Sequence, residues 1–541
     1  MTRVSADSRS NSSVAGRTPE GSDPASGDSA AVNRIVRGAL QMVGSVYFAR
    51  LINWAAYVLL LRRLAPVEVG QITFAIAILM VVTSLKRFGL HVALLHRYDE
   101  VERLETTHFL LNSGLAVFGA IAAIATAFVY GMFGEANPIV VNALIIFAVL
   151  DMVRSLVQTS ETRLRQRLQF GRLALAHASS TVLASVVAVA VAYLGGGTWA
   201  LILGFSINSV TYVLTYCIMI WQKQMPLLPR LKNWDRAGAR DLLRYGVWFW
   251  AAGILQTLTL HFDRLIVGMM LGDDLLGIYA AAHIFAQIPT GAVTHMIQGV
   301  TGTVYARYQQ DRKLLSSAFY RTQRLIIRCT VPITLILALE APILVGLIKA
   351  EWLPLVPVLR WLILYSLCRP ALDDVYFLLY GVGEPRWITR FVSFQALSLL
   401  ALAPLMTSHY GIQGAALGMD VAAIIGLLLA MRAVRAHVDI SWKRVFGAPL
   451  VAGLAASAGR LAADDLLTAL SPIFALVAGA AILATGYAAT LILIERRELN
   501  MELRSLWNAL TEPGRVDAGR ANAGRAHADR SISAPSSEER K

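Results

Sequence analysis

The sequence predicts an all-α polytopic membrane protein of about 14 transmembrane helices. They are arranged as two six-helix bundles with pseudo-twofold symmetry plus two C-terminal helices. Three observations carry this. Of 541 residues, 56% are hydrophobic and only 16% charged, where a soluble chain of this size carries about 25% charge. Mean hydropathy is +0.56. Apolar runs of roughly 20 residues, the length that crosses a bilayer core, recur along nearly the whole chain. A β-barrel would show alternating strands of about 10 residues instead.

Taken in order, the apolar segments are 40–61, 66–85, 107–131, 138–157, 174–194, 198–220, 246–270, 275–303, 326–347, 354–378, 390–408, 412–432, 445–463 and 471–494. Below they are spans 1 to 14. The basic residues test the count. With the N-terminus cytoplasmic, 41 of the 49 Lys and Arg fall in cytoplasmic stretches. The external connections hold only Arg62, Arg63, Lys349 and Arg460. Such alternation follows the positive-inside rule, and one missed span would invert every later loop. The formal charge of +14 is therefore an orientation signal, and nucleic acid is not an expected partner.

Residues 1–36 read as a disordered cytoplasmic tail rich in Ser, Gly, Asp and Ala, without the apolar core of a cleaved signal peptide. Residues 37–222 form the first six-helix bundle, 223–243 a cytoplasmic linker and 244–436 the second bundle. Helices 13 and 14 occupy 437–495. The tail 496–541 is cytoplasmic and mostly disordered, with "RRELNMELRSLWNAL" as a short amphipathic helix on the membrane surface. The bundles repeat weakly. Leu64 matches Leu271 and Gly70 matches Gly277 at an offset of 207, an offset shared by Arg37 and Arg244. "GTWALILG" (Gly197 to Gly204) matches "GIQGAALG" (Gly411 to Gly418) at 214. Parallel repeats imply a pseudo-twofold along the membrane normal with a substrate path between the halves.

Cys217, Cys329 and Cys368 match no metal or redox spacing and read as small hydrophobes. No GxxxxGK[ST], HExxH, CxxC or GxSxG motif occurs, so neither a nucleotide-driven motor nor a cofactor is expected. The external connections are short, which disfavours an enzyme that must hold an acceptor.

The informative residues are polar stripes inside apolar helices. In span 7, Thr257, His261 and Arg264 fall at i, i+4 and i+7, beside Gln256, Thr259 and Asp263. In span 8, Tyr279, His283, Gln287, Thr290, Thr294 and Gln298 follow one line. Span 1 carries Arg50, Asn53 and Tyr57. Span 10 carries Arg369, Asp373, Tyr376 and Tyr380. Ionised groups in a bilayer cost several kcal/mol and face a protein interior or a watery cavity, so the stripes on spans 1, 7 and 8 predict a wet central cavity. Plainer roles stand beside this one. Asp263 and Arg264 can pair with charges on neighbouring helices, Arg369 and Asp373 with each other, and Arg360 can snorkel. His283 is a hydrogen-bonded interior histidine or a proton carrier. Asp151, Glu340 and Asp420 read as lone embedded acids, any of which can serve coupling. Asp273–Asp274 and Asp464–Asp465 read as solvated turns.

Three stretches carry a resemblance: "RRLAPVEVGQITFA", "ETRLRQRLQFGRLALAH" (Glu161 to His177) and "DRLIVGMMLGDDLLGIYAAAHIFAQIP" (Asp263 to Pro289). In order and spacing they resemble bacterial polysaccharide flippases of the multidrug/oligosaccharidyl-lipid/polysaccharide exporter superfamily, in the branch of the colanic acid and succinoglycan exporters. The resemblance spans about residues 33–495. It implies a V-shaped, alternating-access transporter in the bacterial inner membrane, with both termini cytoplasmic. The implied cargo is an undecaprenyl-pyrophosphate-linked oligosaccharide. A polysaccharide polymerase and a chain-length regulator are further partners, and the coupling ion, proton or sodium, is open. It also implies a cationic central cavity, for which Arg50 and Arg264 are best placed. Arginine suits a diphosphate because its fork grips two oxygens and keeps its proton when desolvated. The candidate cavity set is Arg50, Asn53, Tyr57, His261, Asp263, Arg264, Tyr279, His283, Gln287, Arg369 and Asp373. The alternatives are a multidrug or small-molecule antiporter of the same superfamily, which would favour acidic cavity groups, and a membrane polymerase.

Overall fold

A computed structural model describes residues 44, 47–91, 94, 101–132, 137–167, 169–222 and 234–511, and among these the regular structure is entirely helical. The first part comprises α1 (Tyr47–Leu61), α2 (Pro66–Ser84), α3 (Val101–Met132), α4 (Pro138–Ser155), the short α5 (Gln158–Gln166), α6 (Phe170–Tyr193) and α7 (Trp199–Trp221). There follow α8 (Arg236–Leu271), α9 (Asp273–Ala286), α10 (Ile288–Tyr308), α11 (Arg312–Leu339) and the short α12 (Ala341–Gly346). The remainder is α13 (Leu355–Trp361), α14 (Ile363–Gly381), α15 (Pro385–Val434), α16 (Trp442–Ala462), α17 (Asp464–Thr468) and α18 (Pro472–Thr511).

The chain is a multi-pass helical membrane protein. Among the described residues, 11 helices are long and apolar enough to cross a bilayer. The pair Ala350–Trp361 and Ile363–Gly381, bent by 53°, makes a twelfth when its two arms are taken as one span. The 50-residue α15 is broken at Gly411 (φ 58, ψ −141), so it carries two of the predicted spans. Gly411 stands in left-handed backbone that a side chain would strain. α1 carries span 1. Every predicted span therefore lies on a helix.

Some boundaries move. Span 8 is two helices meeting at Gln287, because Pro289 at the second position of α10 has no N–H to give back to the preceding turn. Span 9 begins 14 residues early. The Asp311 side chain accepts from the N–H groups of Lys313 and Leu314 and opens α11 there, an N-cap that hydropathy does not register. Likewise the Asp235 side chain accepts from Ala237 and Gly238 and starts α8, so residues 236–243 are helix rather than linker. The tail segment 496–511 is helical and leaves the axis of α18 at Glu495 (φ −105, ψ 17). Residues 1–36, 223–233 and 512–541 lie outside the described residues.

In the first part α3 packs on α4, α6 on α7, and α4 on both α2 and α7. In the second, α14 packs on α10, α11 and α15, and α8 on α15. α16 and α18 pair with each other and lean on α11. Two ion-paired groups fasten them there. Buried Arg460 donates to Glu340 at 2.5 Å and to Asp464 at 3.0 Å. Buried Glu495 takes Arg324 at 3.0 Å, and Arg328 as well. Breaking such a pair strands an uncompensated charge, at about 3–5 kcal/mol. Arg460 and Glu340, expected as a loop cation and a lone acid, are thus partners.

The two parts meet through α2 against α8 and α9, and α3 against α8. The α2–α9 crossing is the closest. A Cβ on Gly70 would overlap the Asp273 carbonyl, and a Cβ on Gly277 would overlap the Pro66 carbonyl. Pro66 and Asp273 are themselves 207 apart in sequence. The glycines that mark the repeat therefore face each other across its axis. Small residues permit this approach between membrane helices.

Candidate substrate-binding site

α8 must present its polar residues to a low-dielectric interior, and their partners decide what they can do. Asp263 is fully buried. Its Oδ2 accepts the Tyr279 hydroxyl of α9 at 2.7 Å and lies 3.9 Å from His283 Nε2. Arg264, one residue on and about 100° round the helix, points elsewhere. Its Nη1 lies 3.3 Å from His261 Nδ1 and its Nη2 3.1 Å from His283 Nδ1. Arg264 and Asp263 form no ion pair. The helical step sends the two side chains to different neighbours, Asp263 to Tyr279 and Arg264 to the two histidines.

Arginine only donates hydrogen bonds, so both imidazoles offer Nδ1 as acceptor and carry their proton on Nε2. Gln287 Nε2 lies 2.8 Å from the same His283 Nδ1. Tyr365 of α14 sets its ring 5.3 Å from the His283 ring. Tyr57 of α1 packs by its ring on Phe285. The structure thus gathers His261, Asp263, Arg264, Tyr279, His283 and Gln287 at one place, with Tyr57 beside them. Arg264 pairs with no carboxylate among the described residues, and its buried Nε has no partner.

Arg50 lies farther along the same seam. The Tyr47 hydroxyl donates to Ala292 O of α10 at 3.0 Å, and the Arg50 guanidinium covers Gly291. Arg50 also pairs with no carboxylate among the described residues. Three other predicted residues are placed as follows. Asn53, three residues from Arg50, is exposed. Arg369 and Asp373 bond each other at 2.9 Å along α14, so the intrahelical pair is what the structure contains. Thr257 and Thr259 spend their hydroxyls on the carbonyls of Gly253 and Leu255 in their own helix, as threonines inside helices do. The Gln298 side chain lies outside the described residues.

Sequence reasoning missed Tyr365, though it continues the Arg369–Asp373 stripe one turn earlier. It also favoured Asp373 over Asp374. The latter is 1% exposed and accepts from the Tyr305 hydroxyl at 3.0 Å and Gln323 Nε2 at 3.1 Å. The other lone acids have partners too. Asp151 takes Lys86 at 2.5 Å, and Asp420 takes the Tyr365 N–H at 2.8 Å.

A separate cavity of about 330 Å³ opens at the ends of α2 and α4, lined by Lys86, Asn112, Asp151, Arg154, Glu161 and Tyr212. Burial pushes the Glu161 carboxyl up, but hydrogen bonds from Arg165 and Tyr212 outweigh it and hold the group below the usual carboxylate range. Among the described residues no cluster of His, Cys, Asp and Glu has the geometry to hold a metal.

The family model described as "Polysaccharide biosynthesis protein" matches residues 59–357, more than half of the chain and all of α2 to α12. The chain belongs to this family. It is 23% identical over 367 residues to the lipopolysaccharide biosynthesis protein WzxC of Escherichia coli K12, covering 67% of this chain and 73% of that one. It is 24% identical to the succinoglycan biosynthesis transport protein ExoT of Rhizobium meliloti, covering 60% and 65%. Among solved structures it shares its fold with the lipid II flippase MurJ in an inward closed conformation. That match has TM-score 0.70 at 14% identity, over 85% of this chain and all of the other.

Proposed function

We propose that this family member is an alternating-access flippase of the bacterial inner membrane. It moves an undecaprenyl-diphosphate-linked oligosaccharide from the cytoplasmic to the outer leaflet for assembly of an exopolysaccharide, capsule or O-antigen. Two six-helix bundles, 37–222 and 244–436, rock about the α2–α9 crossing. Both termini are cytoplasmic, as the basic residues favour. The cargo passes to a polysaccharide polymerase and a chain-length regulator.

The observation that carries this reading is Arg264. It is a guanidinium in the middle of a membrane protein, held by two neutral imidazoles and in direct contact with no carboxylate among the described residues. An unbalanced cation at that depth is costly unless an anion arrives to offset it. Its height, about 10 Å below the outer end of α8 at 1.5 Å per residue, suits a station on the path between leaflets. Arg50 extends the cationic seam, and a diphosphate can pass from one to the other while the lipid tail stays in the membrane. A multidrug antiporter would need an accessible acid here, and Asp263 is sealed under the Tyr279 hydroxyl.

Deleting the gene should leave lipid-linked repeat units on the cytoplasmic face, and the wild-type chain should restore export. Arg264→Ala should reach normal membrane levels and export nothing. Arg264→Lys should export roughly tenfold to a hundredfold less than wild type, since about 1.5–3 kcal/mol goes with a charged hydrogen bond. Full export by Arg264→Ala would overturn the assignment.

A further inference from the structure

His283 stands between opposite charges. Its Nδ1 accepts from the Arg264 guanidinium at 3.1 Å, and its Nε2 faces the Asp263 carboxylate at 3.9 Å. Both rims of the ring are buried, and neither His283 Nε2 nor Asp263 Oδ1 has a hydrogen-bond partner among the described residues. A carboxylate within 4 Å favours the imidazolium, whereas a guanidinium on the other nitrogen forbids it. In the empty site the guanidinium prevails, because it occupies the very lone pair a proton would take.

We propose that His283 takes up one proton when an anion binds at Arg264 and becomes the anion's second cationic donor. The inference rests on the Arg264 reading given under Proposed function. An anion on the guanidinium cancels the charge that kept His283 neutral, and its oxygens draw the N–H groups away from Nδ1. A proton from solution then forms the Nδ1–H bond. That N–H donates to the anion, and the Nε2–H turns to Asp263. One proton enters, no bond to carbon or phosphorus changes, and the imidazolium sits between two anions.

The surroundings hold the switch in place. Tyr279 on α9 donates to Asp263 and fixes the carboxylate that receives Nε2–H. His261 on α8 anchors the far arm of Arg264, and Tyr57 of α1 stands beside that guanidinium. On α14, Tyr365 stacks near the ring, and the charge of Arg369 is already offset by Asp373. Gln287 covers Nδ1 beside the guanidinium at 2.8 Å, and its amide gives way as the new N–H turns to the anion.

The test is calorimetry on the purified full chain at neutral pH, in buffers of differing ionisation enthalpy. The probes are sulfate, which exchanges no protons near neutrality, and inorganic pyrophosphate. Up to one proton should be taken up per sulfate bound, and sulfate affinity should rise towards tenfold for each unit that pH falls. His283→Gln should bind pyrophosphate more weakly than wild type, and the uptake difference between the two should approach one proton. Binding to wild type that is lost in Arg264→Gln but takes up no proton would overturn the inference and leave the Arg264 reading intact. Anion binding unchanged by Arg264→Gln would overturn that reading itself.

Discussion

At the level of single residues, helical periodicity told which side chains share a stripe but not which of them touch. Arg264, His261, His283 and Gln287 are neighbours as the spacing suggests. Asp263 and Arg264 look like an acid–base pair in the sequence, and the 100° step between consecutive helical residues separates them. Which helix lies opposite cannot be read from either stripe, so Tyr279 as the partner of Asp263 was not legible. The distinction is measurable. Asp263→Ala should cost about 1–3 kcal/mol by leaving the Tyr279 hydroxyl buried without an acceptor. Adding Tyr279→Phe to Asp263→Ala should recover part of that loss, whereas adding Arg264→Ala should recover none. Thermal unfolding in detergent of these variants and of the Tyr279→Phe and Arg264→Ala singles gives the two couplings. A strong Asp263–Arg264 coupling with none to Tyr279 would contradict the geometry.

At the level of helices, every span was legible because twenty apolar residues leave few alternatives in a bilayer. Their ends were not, because caps such as Asp235 and Asp311 act through one hydrogen-bonded turn. Asp235 joins two elements. Its carboxylate caps α8 and takes Arg103 of α3 at 2.6 Å. The Gly238 N–H above all, then Arg103, holds its carboxyl below the usual carboxylate range. A depressed carboxylate contributes above its unfolded value near pH 4, and the contribution fades as pH falls through the folded value. Hydrogen exchange at residues 236–240 should therefore quicken below about pH 4, and Asp235→Asn, which still caps, should flatten that dependence. The α2–α9 glycines were marked by the repeat, though nothing in one sequence says that repeat-related residues meet. With Cys217, Cys329 and Cys368 replaced by alanine, a Tyr57→Cys probe can report which side of the membrane is open. Gly70→Leu wedges α2 from α9 and should expose the probe to a membrane-impermeant thiol reagent from outside. Trp250→Ala removes the ring stacked 5.1 Å from Phe88 and the hydrogen bond to Leu85 O, and should expose it from the cytoplasm. Equal reactivity from both sides in both variants would show that these contacts do not gate access.

For the molecule as a whole, the same halves meet at two heights. On one side lie the Gly70–Gly277 crossing and the Trp352 indole bound to Leu61 O at 2.8 Å. On the other lie Phe88 against Trp250 and Arg103 against Asp235. The arginine–histidine site lies between these closures, so an anion held there is carried with whatever charge the site has gathered around it. This sets the energetics. The sequence expectation leaves the coupling ion open, and the His283 switch constrains the answer. A proton taken up with the cargo travels outward with it, so an inward-directed pH gradient acting through this residue opposes export. The membrane potential acts the other way. It is negative inside and favours outward movement of net negative charge by about 2.3 kcal/mol per charge per 100 mV. A diphosphate accompanied by one proton still moves outward as an anion relative to the empty carrier. Export in right-side-out vesicles preloaded with lipid-linked cargo should therefore slow when potassium and valinomycin collapse the potential. It should hold steady or quicken when nigericin removes only the pH difference. Slowing by nigericin alone would mean that protons enter as cargo leaves, which the geometry at His283 does not support.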